Sequence, residues 1–167
     1  MGFVDELDSV AKNSSYWNAE REKAKEEYIR RTVETIKNGI KQKVESGTFD
    51  SKRGTRAVSF RFTLGSSLII PAYSNGKDIS IIVVEKEVKR GLLSEKFSVA
   101  FTQEGIEIVK KLLKILEANS IESKIGVEVD DPEYRTARDI VPFDIKNRFP
   151  YYQHQSVSFF LDCTVLF

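Results

Sequence analysis

The chain has 167 residues, with 26 Lys and Arg against 25 Asp and Glu, a net charge of +1 and 41% hydrophobic residues. That balance fits one globular domain able to bury a core without metal or disulfides, and it excludes collagen-like, low-complexity and uniformly basic classes. One cysteine, Cys163, cannot form an internal disulfide, and one histidine, His154, leaves too few ligands for a structural zinc site.

Residues 3–11 carry Phe3, Val4, Leu7, Val10 and Ala11 at three- and four-residue steps, the spacing of one helical face. Asn13-Ser14-Ser15 supplies stop and restart signals, so a break is expected there. From Tyr16 to Ser46 strong helix formers dominate, and Ile29, Val33, Ile36, Ile40 and Val44 form one narrow apolar stripe, with Gly47 as the left-handed stop. Between Asn18 and Glu27 only Ala19 and Ala24 are apolar, so residues 1–28 are expected to form a helical extension that projects or pairs with another chain.

Val58, Phe60, Phe62 and Leu64 alternate with polar residues as in a strand wet on one face. Residues 68–73 read as an edge strand because Pro71 lacks a ladder donor. Asn75-Gly76 reads as a hairpin turn into the β-branched strand 79–88. Phe97, Val99 and Phe101 alternate, Thr102 fits an N-cap, and residues 103–118 read as a helix whose apolar set is wider than one stripe. A strand through Ile125, Val127 and Val129 follows, and a right-handed crossover is expected if it lies parallel to 97–101 in one sheet. Residues 133–138 suggest one or two helical turns and 140–155 mostly loop. Val157, Phe159, Leu161, Cys163 and Val165 alternate in a last strand, expected inside the sheet.

The fold class expected is therefore α+β. One domain, 1–167, carries an N-terminal helical segment, a mixed or mostly antiparallel sheet of five or six strands, and one buried helix at about 103–118.

Charge is uneven. Residues 30–61 hold nine cations against three acids, and Arg30, Arg31, Lys37, Lys41, Lys43, Lys52, Arg53, Arg56 and Arg61 form a candidate nucleic-acid-binding set. Against that reading, Glu34 and Glu45 interrupt the run and only Phe49 is available to stack on bases, which favours a solvated helix face.

The acidic constellation is Glu128, Asp130 and Asp131, followed by Asp144-Ile145-Lys146. Its carboxylates and lysine are similar to those of PD-(D/E)xK nucleases, although Asp131-Pro132 reverses that family's Pro-Asp order. Asp131 and Asp144 are the metal candidates that follow from it; a helix cap and an ordinary surface pair are the stronger reading. Cys163 is in phase with a core strand and reads as a small buried hydrophobe; His154, in a polar aromatic loop, reads as a packing residue. Neither a GxGxxG, a GxxxxGK[ST] nor an HExxH occurs.

With no catalytic set and no cofactor indicated, the expectation is a non-catalytic protein-binding or assembly protein that engages a protein partner or another copy of itself through its N-terminal helix. The alternatives are a nucleic-acid-binding accessory protein using residues 30–61 and a Mg-dependent nuclease-like enzyme. The chain has no apolar run of bilayer-spanning length and begins with acidic residues rather than a basic leader, so a cytoplasmic location without membrane contact is expected.

Overall fold

The computed structural model describes residues 3–52, 54–65, 68–74, 77–131 and 140–167, without the side chains of 3–18, 71–74, 77–79 and 140. In chain order the elements are α1 (Phe3–Glu45), β1 (Asp50–Lys52), β2 (Thr55–Gly65), β3 (Leu68–Ser74), β4 (Lys77–Arg90), β5 (Glu95–Phe101), α2 (Gln103–Ala118), β6 (Glu122–Asp130), β7 (Ile140–Pro142), β8 (Arg148–Tyr151) and β9 (Ser156–Leu166). The strands form two sheets, ordered β1-β2-β9-β6-β7 and β3-β4-β5-β8. Every pairing among them is antiparallel. The protein is thus α+β, with its strands divided between two sheets where one had been expected.

Helix α1 runs through Asn13-Ser14-Ser15 without the expected break. Asn and Ser each cost only about 0.5 kcal/mol relative to the best helix formers, and no Gly or Pro lies nearby to enforce a stop. At the other end Gly47 adopts φ 72°, and the Thr48 amide donates to the Lys43 carbonyl at 2.9 Å, closing the last turn. Ile29, Val33, Ile36 and Ile40 are buried as the stripe requires, and Val44 packs partly against the same core. Gly39 lets α1 approach the sheet, because a Cβ there would run into the Phe60 ring.

Thr102 caps α2 as its sequence position indicates: its hydroxyl accepts from the Gly105 amide at 2.9 Å, and Asn119 forms the C-cap. Gly105, Ile108, Val109, Leu112 and Leu116 are buried. The parallel crossover is not present. Strand β5 belongs to the four-stranded sheet and β6 to the five-stranded one, so α2 carries the chain between sheets rather than back to the same one.

Strand β9 is the centre of the five-stranded sheet, flanked by β2 and β6, and Val157, Phe159, Leu161 and Cys163 are all buried. Strand β3 is an edge, which accommodates Pro71, and the pair Ser74↔Lys77 brackets the hairpin; Asn75-Gly76 itself lies outside the described residues. The stretch expected to be mostly loop contains β7 and β8. Both are short sheet edges, the one position where Pro142 and Pro150 interrupt no ladder on both sides. The turns expected at 133–138 also lie outside the described residues. Phe159 stacks on Phe101 at 4.6 Å between ring centroids, tying one sheet to the other in a core that also includes both helices. Among the described residues, no helix is long and apolar enough to cross a membrane.

Candidate functional site

Helices α1 and α2 lie side by side, and a groove of about 660 Å³ opens between them. Ile29 and Val33 of α1 form its buried floor, while Ile115 of α2, 40% exposed, forms an apolar wall. Glu26, Arg30, Glu34 and Lys37 line it from α1, and Lys111 and Lys114 from α2. Ile115 reaches this position because Leu112 and Leu116 occupy the core-facing side of α2. The wide apolar set read in the sequence was the signal for this second face, and Lys111, Lys114 and Ile115 were not singled out from it.

The groove's charges are unequal. Arg30 is held by Glu27 at 2.6 Å and Glu34 at 2.8 Å, and Arg31 by Glu27 at 2.9 Å. Hydrogen bonding from Arg30, then from Arg31, holds the Glu27 carboxyl down at about 2, so this network stays ionised over the whole neutral range. Lys37, Lys111 and Lys114 have no ion-pair partner among the described residues, leaving the groove with a positive excess.

Where α1 meets the start of α2, Arg21 and Lys25 both engage Glu104, Lys25 at 2.9 Å. Partial burial alone would raise the Glu104 carboxyl, but hydrogen bonds from Lys25 and Arg21 hold it below its ordinary value. Ala24 and Tyr28 also pack against the core. Among the described side chains, contact with the body reaches back at least to Arg21, inside the segment expected to form an extension to residue 28.

The described members of the nine-cation set lie on more than one surface. Arg30, Arg31, Lys37 and Lys41 lie on the exposed side of α1, with Lys41 3.9 Å from Glu45. The Lys43 ammonium donates to the Ser59 carbonyl. Lys52 donates to the Thr164 hydroxyl at 3.1 Å, and Arg61 lies over Phe160 at 5.9 Å. Thr164 and Phe160 alternate along β9 with the core residues Leu161 and Cys163, so Lys52 and Arg61 occupy the sheet face opposite α1. Arg56 covers Phe49 at 4.5 Å, and Arg53 lies outside the described residues.

The two metal candidates hold local structure. Asp131 is 8% exposed and accepts from Gln155 at 3.1 Å, with His154 Nε2 at 3.4 Å from the same oxygen. Asp144 accepts from the Lys146 amide at 3.0 Å and caps its own turn. Among the described residues, no group of three His, Cys, Asp or Glu could hold a metal ion. Cys163 is fully buried beside Ser123, and burial pushes its thiol up to about 11. It is separated from His154 by most of the extended β9, roughly 20 Å of strand, so the two do not form a catalytic pair.

Comparison with protein-family models, curated proteins and solved structures gives no match to this chain. The α1–α2 groove combines an apolar floor, an exposed apolar wall and unbalanced positive charge, a combination suited to receiving an acidic amphipathic helix.

Proposed function

We propose that this protein is a non-catalytic assembly module that self-associates, each copy seating the first turns of its α1 helix in the α1–α2 groove of another. The observation that carries the reading is the complementarity of the groove to residues 3–11. Phe3, Val4, Leu7 and Val10 recur at helical spacing there, with Asp5, Glu6 and Asp8 among them. The groove offers Ile29, Val33 and Ile115 beside Lys37, Lys111 and Lys114.

Helix geometry argues against the chain's own N-terminus as the occupant and supports a second copy. Residues 3–11 and the groove floor belong to one uninterrupted helix, so residue 11 lies about 27 Å along the rod from Ile29 and cannot fold back onto it. Two α1 helices packed antiparallel about a two-fold axis near Glu20 place residues 3–11 of each against 29–37 of the other. The same register brings Asp5, Glu6 and Asp8 level with the basic end of the groove and Lys12 within a turn of Glu26. A two-fold arrangement closes on itself and fills both grooves, so it gives a dimer rather than a filament.

Light scattering during size exclusion tests the proposal on the full chain. The expected mass is twice the 19.1 kDa of one chain, falling to one chain in Leu7→Glu and in Ile115→Glu. The dimer should also weaken with salt, because charged rims are screened. A monomer at concentrations on the order of 100 µM, or a dimer untouched by both substitutions, would overturn it.

A further inference from the structure

We propose that the β4–β5 hairpin tip is a peripheral membrane contact, inserting Leu92 and Leu93 into the interfacial layer of a bilayer that carries anionic headgroups. These two leucines are 105% and 100% exposed, the most exposed of the large hydrophobic residues described. They occupy the middle of a four-residue connection between Arg90 and Glu95, closed by the Gly91 amide donating to the Ser94 carbonyl at 2.9 Å. Gly and Ser suit such a turn, whereas Leu brings it no conformational advantage and here contacts no core.

The tip stands at the end of a two-stranded arm. Strand β3 pairs with β4 only as far as Val84, and β8 reaches along β5 only to Phe97, so among the described residues the rungs Lys89↔Lys96 and Arg90↔Glu95 have no further strand beside them. Those rungs place Lys89, Arg90 and Lys96 directly behind the leucines. Lys89 is 3.6 Å from Glu87 and Arg90 3.6 Å from Glu95, both in open solvent where such pairs exchange readily with other anions. Residues 86–96 hold four cations against two acids. Farther back, Val88 is 48% exposed and Tyr152 is 71% exposed, while Phe97 packs on Tyr151 with ring centroids 5.8 Å apart. Apolar tip, basic collar and aromatic base follow the order in which a bilayer presents acyl chains, charged headgroups and the wet interface.

A lipid surface fits better than a protein pocket because a protein interface of ordinary size covers about 800 Å² on each partner. A four-residue tip falls well short of that, and a bilayer requires no complementary shape. The sequence-based expectation of no membrane contact rested on the lack of a spanning segment. Insertion of two side chains into one leaflet needs no such segment.

Vesicle flotation of the full chain tests the proposal, with phosphatidylcholine alone and with phosphatidylcholine mixed with phosphatidylserine. Binding is expected on the mixed vesicles and should fall about tenfold in Leu92→Ser/Leu93→Ser and about tenfold in Lys89→Gln/Lys96→Gln, both at exposed positions that leave folding intact. Lys110→Gln/Lys124→Gln, at exposed positions outside both the arm and the α1–α2 groove, should leave it unchanged. In addition, Leu93→Cys labelled with an environment-sensitive dye should brighten on the mixed vesicles, since Cys163 is buried and stays unlabelled. Failure of the full chain to float, or equal flotation of the double-serine variant, would overturn the proposal. So would a double-serine variant whose only change is loss of a stoichiometric protein complex, which would assign the tip to a protein partner. None of these outcomes depends on whether α1 exchanges between copies.

Discussion

Substituting Gly105 by Ala sets two well-calibrated effects against each other. Gly105 lies in the first turn of α2, where helix propensity alone favours Ala by about 1 kcal/mol. A Cβ at that position would lie 2.9 Å from the Val83 carbonyl carbon and closer still to its oxygen, inside the 3.0 Å that real Cβ atoms essentially never breach. The obstacle is the backbone of β4 beside the fully buried Val83, so neither neighbour can swing aside. Helix α2 must move, which stretches the 3.0 Å bond from the Thr102 amide to the Val83 carbonyl and the bond from the Thr102 hydroxyl to the Ile82 carbonyl. Overpacking of this kind costs about 1–3 kcal/mol, and each weakened hydrogen bond adds about 0.5–1.5. After subtracting the propensity gain, a net loss of about 2 kcal/mol is expected, or a melting temperature roughly 4–8 °C lower for a chain of this length. Thermal unfolding followed by circular dichroism, with Glu117→Ala on the exposed side of the same helix as control, measures it. A Gly105→Ala protein as stable as the wild type would refute the close approach of α2 to β4.

Gly39→Ala should cost at least about 1 kcal/mol less than Gly105→Ala by the same assay, because the obstructing Phe60 is a half-buried ring that can rotate away. Glu104→Gln removes the shared acceptor of Arg21 and Lys25; with the carboxylate 35% exposed and partly screened, about 1 kcal/mol is expected in urea unfolding at neutral pH. Because the folded-state value of Glu104 is depressed, that stabilisation is present above the ordinary carboxylate value near 4.5 and disappears as pH falls through the depressed one. An unchanged difference between the two proteins in acid would contradict the ion cluster. The Cys163 thiol is raised from an ordinary value near 9 to about 11, so its contribution is complete below pH 9 and is lost as pH rises toward 11. That alkaline loss should be absent in Cys163→Ala, and a thiol reagent should modify wild type only after denaturant is added; rapid labelling of the native protein would count against the buried setting.

The sequence by itself determined the local elements and which side of each faces inward. The stripe from Ile29 to Ile40, the cap at Thr102, the stop at Gly47 and the alternation along β9 all appear in place, because propensity, capping and side-chain period depend on near neighbours in the chain. Even there the Asn13-Ser14-Ser15 signal was overridden, since its small cost was spread over a 43-residue helix. Tertiary structure decided partnership. Alternation tells a strand which face to bury but not which strand to pair with, so the assignment of β5 and β6 to different sheets lay beyond any periodic pattern. The same holds for the surfaces proposed to act. Ile115 became the wall of a groove only when α1 settled alongside α2, and Leu92 and Leu93 became an exposed tip only because β3 and β8 stop short of the arm that carries them.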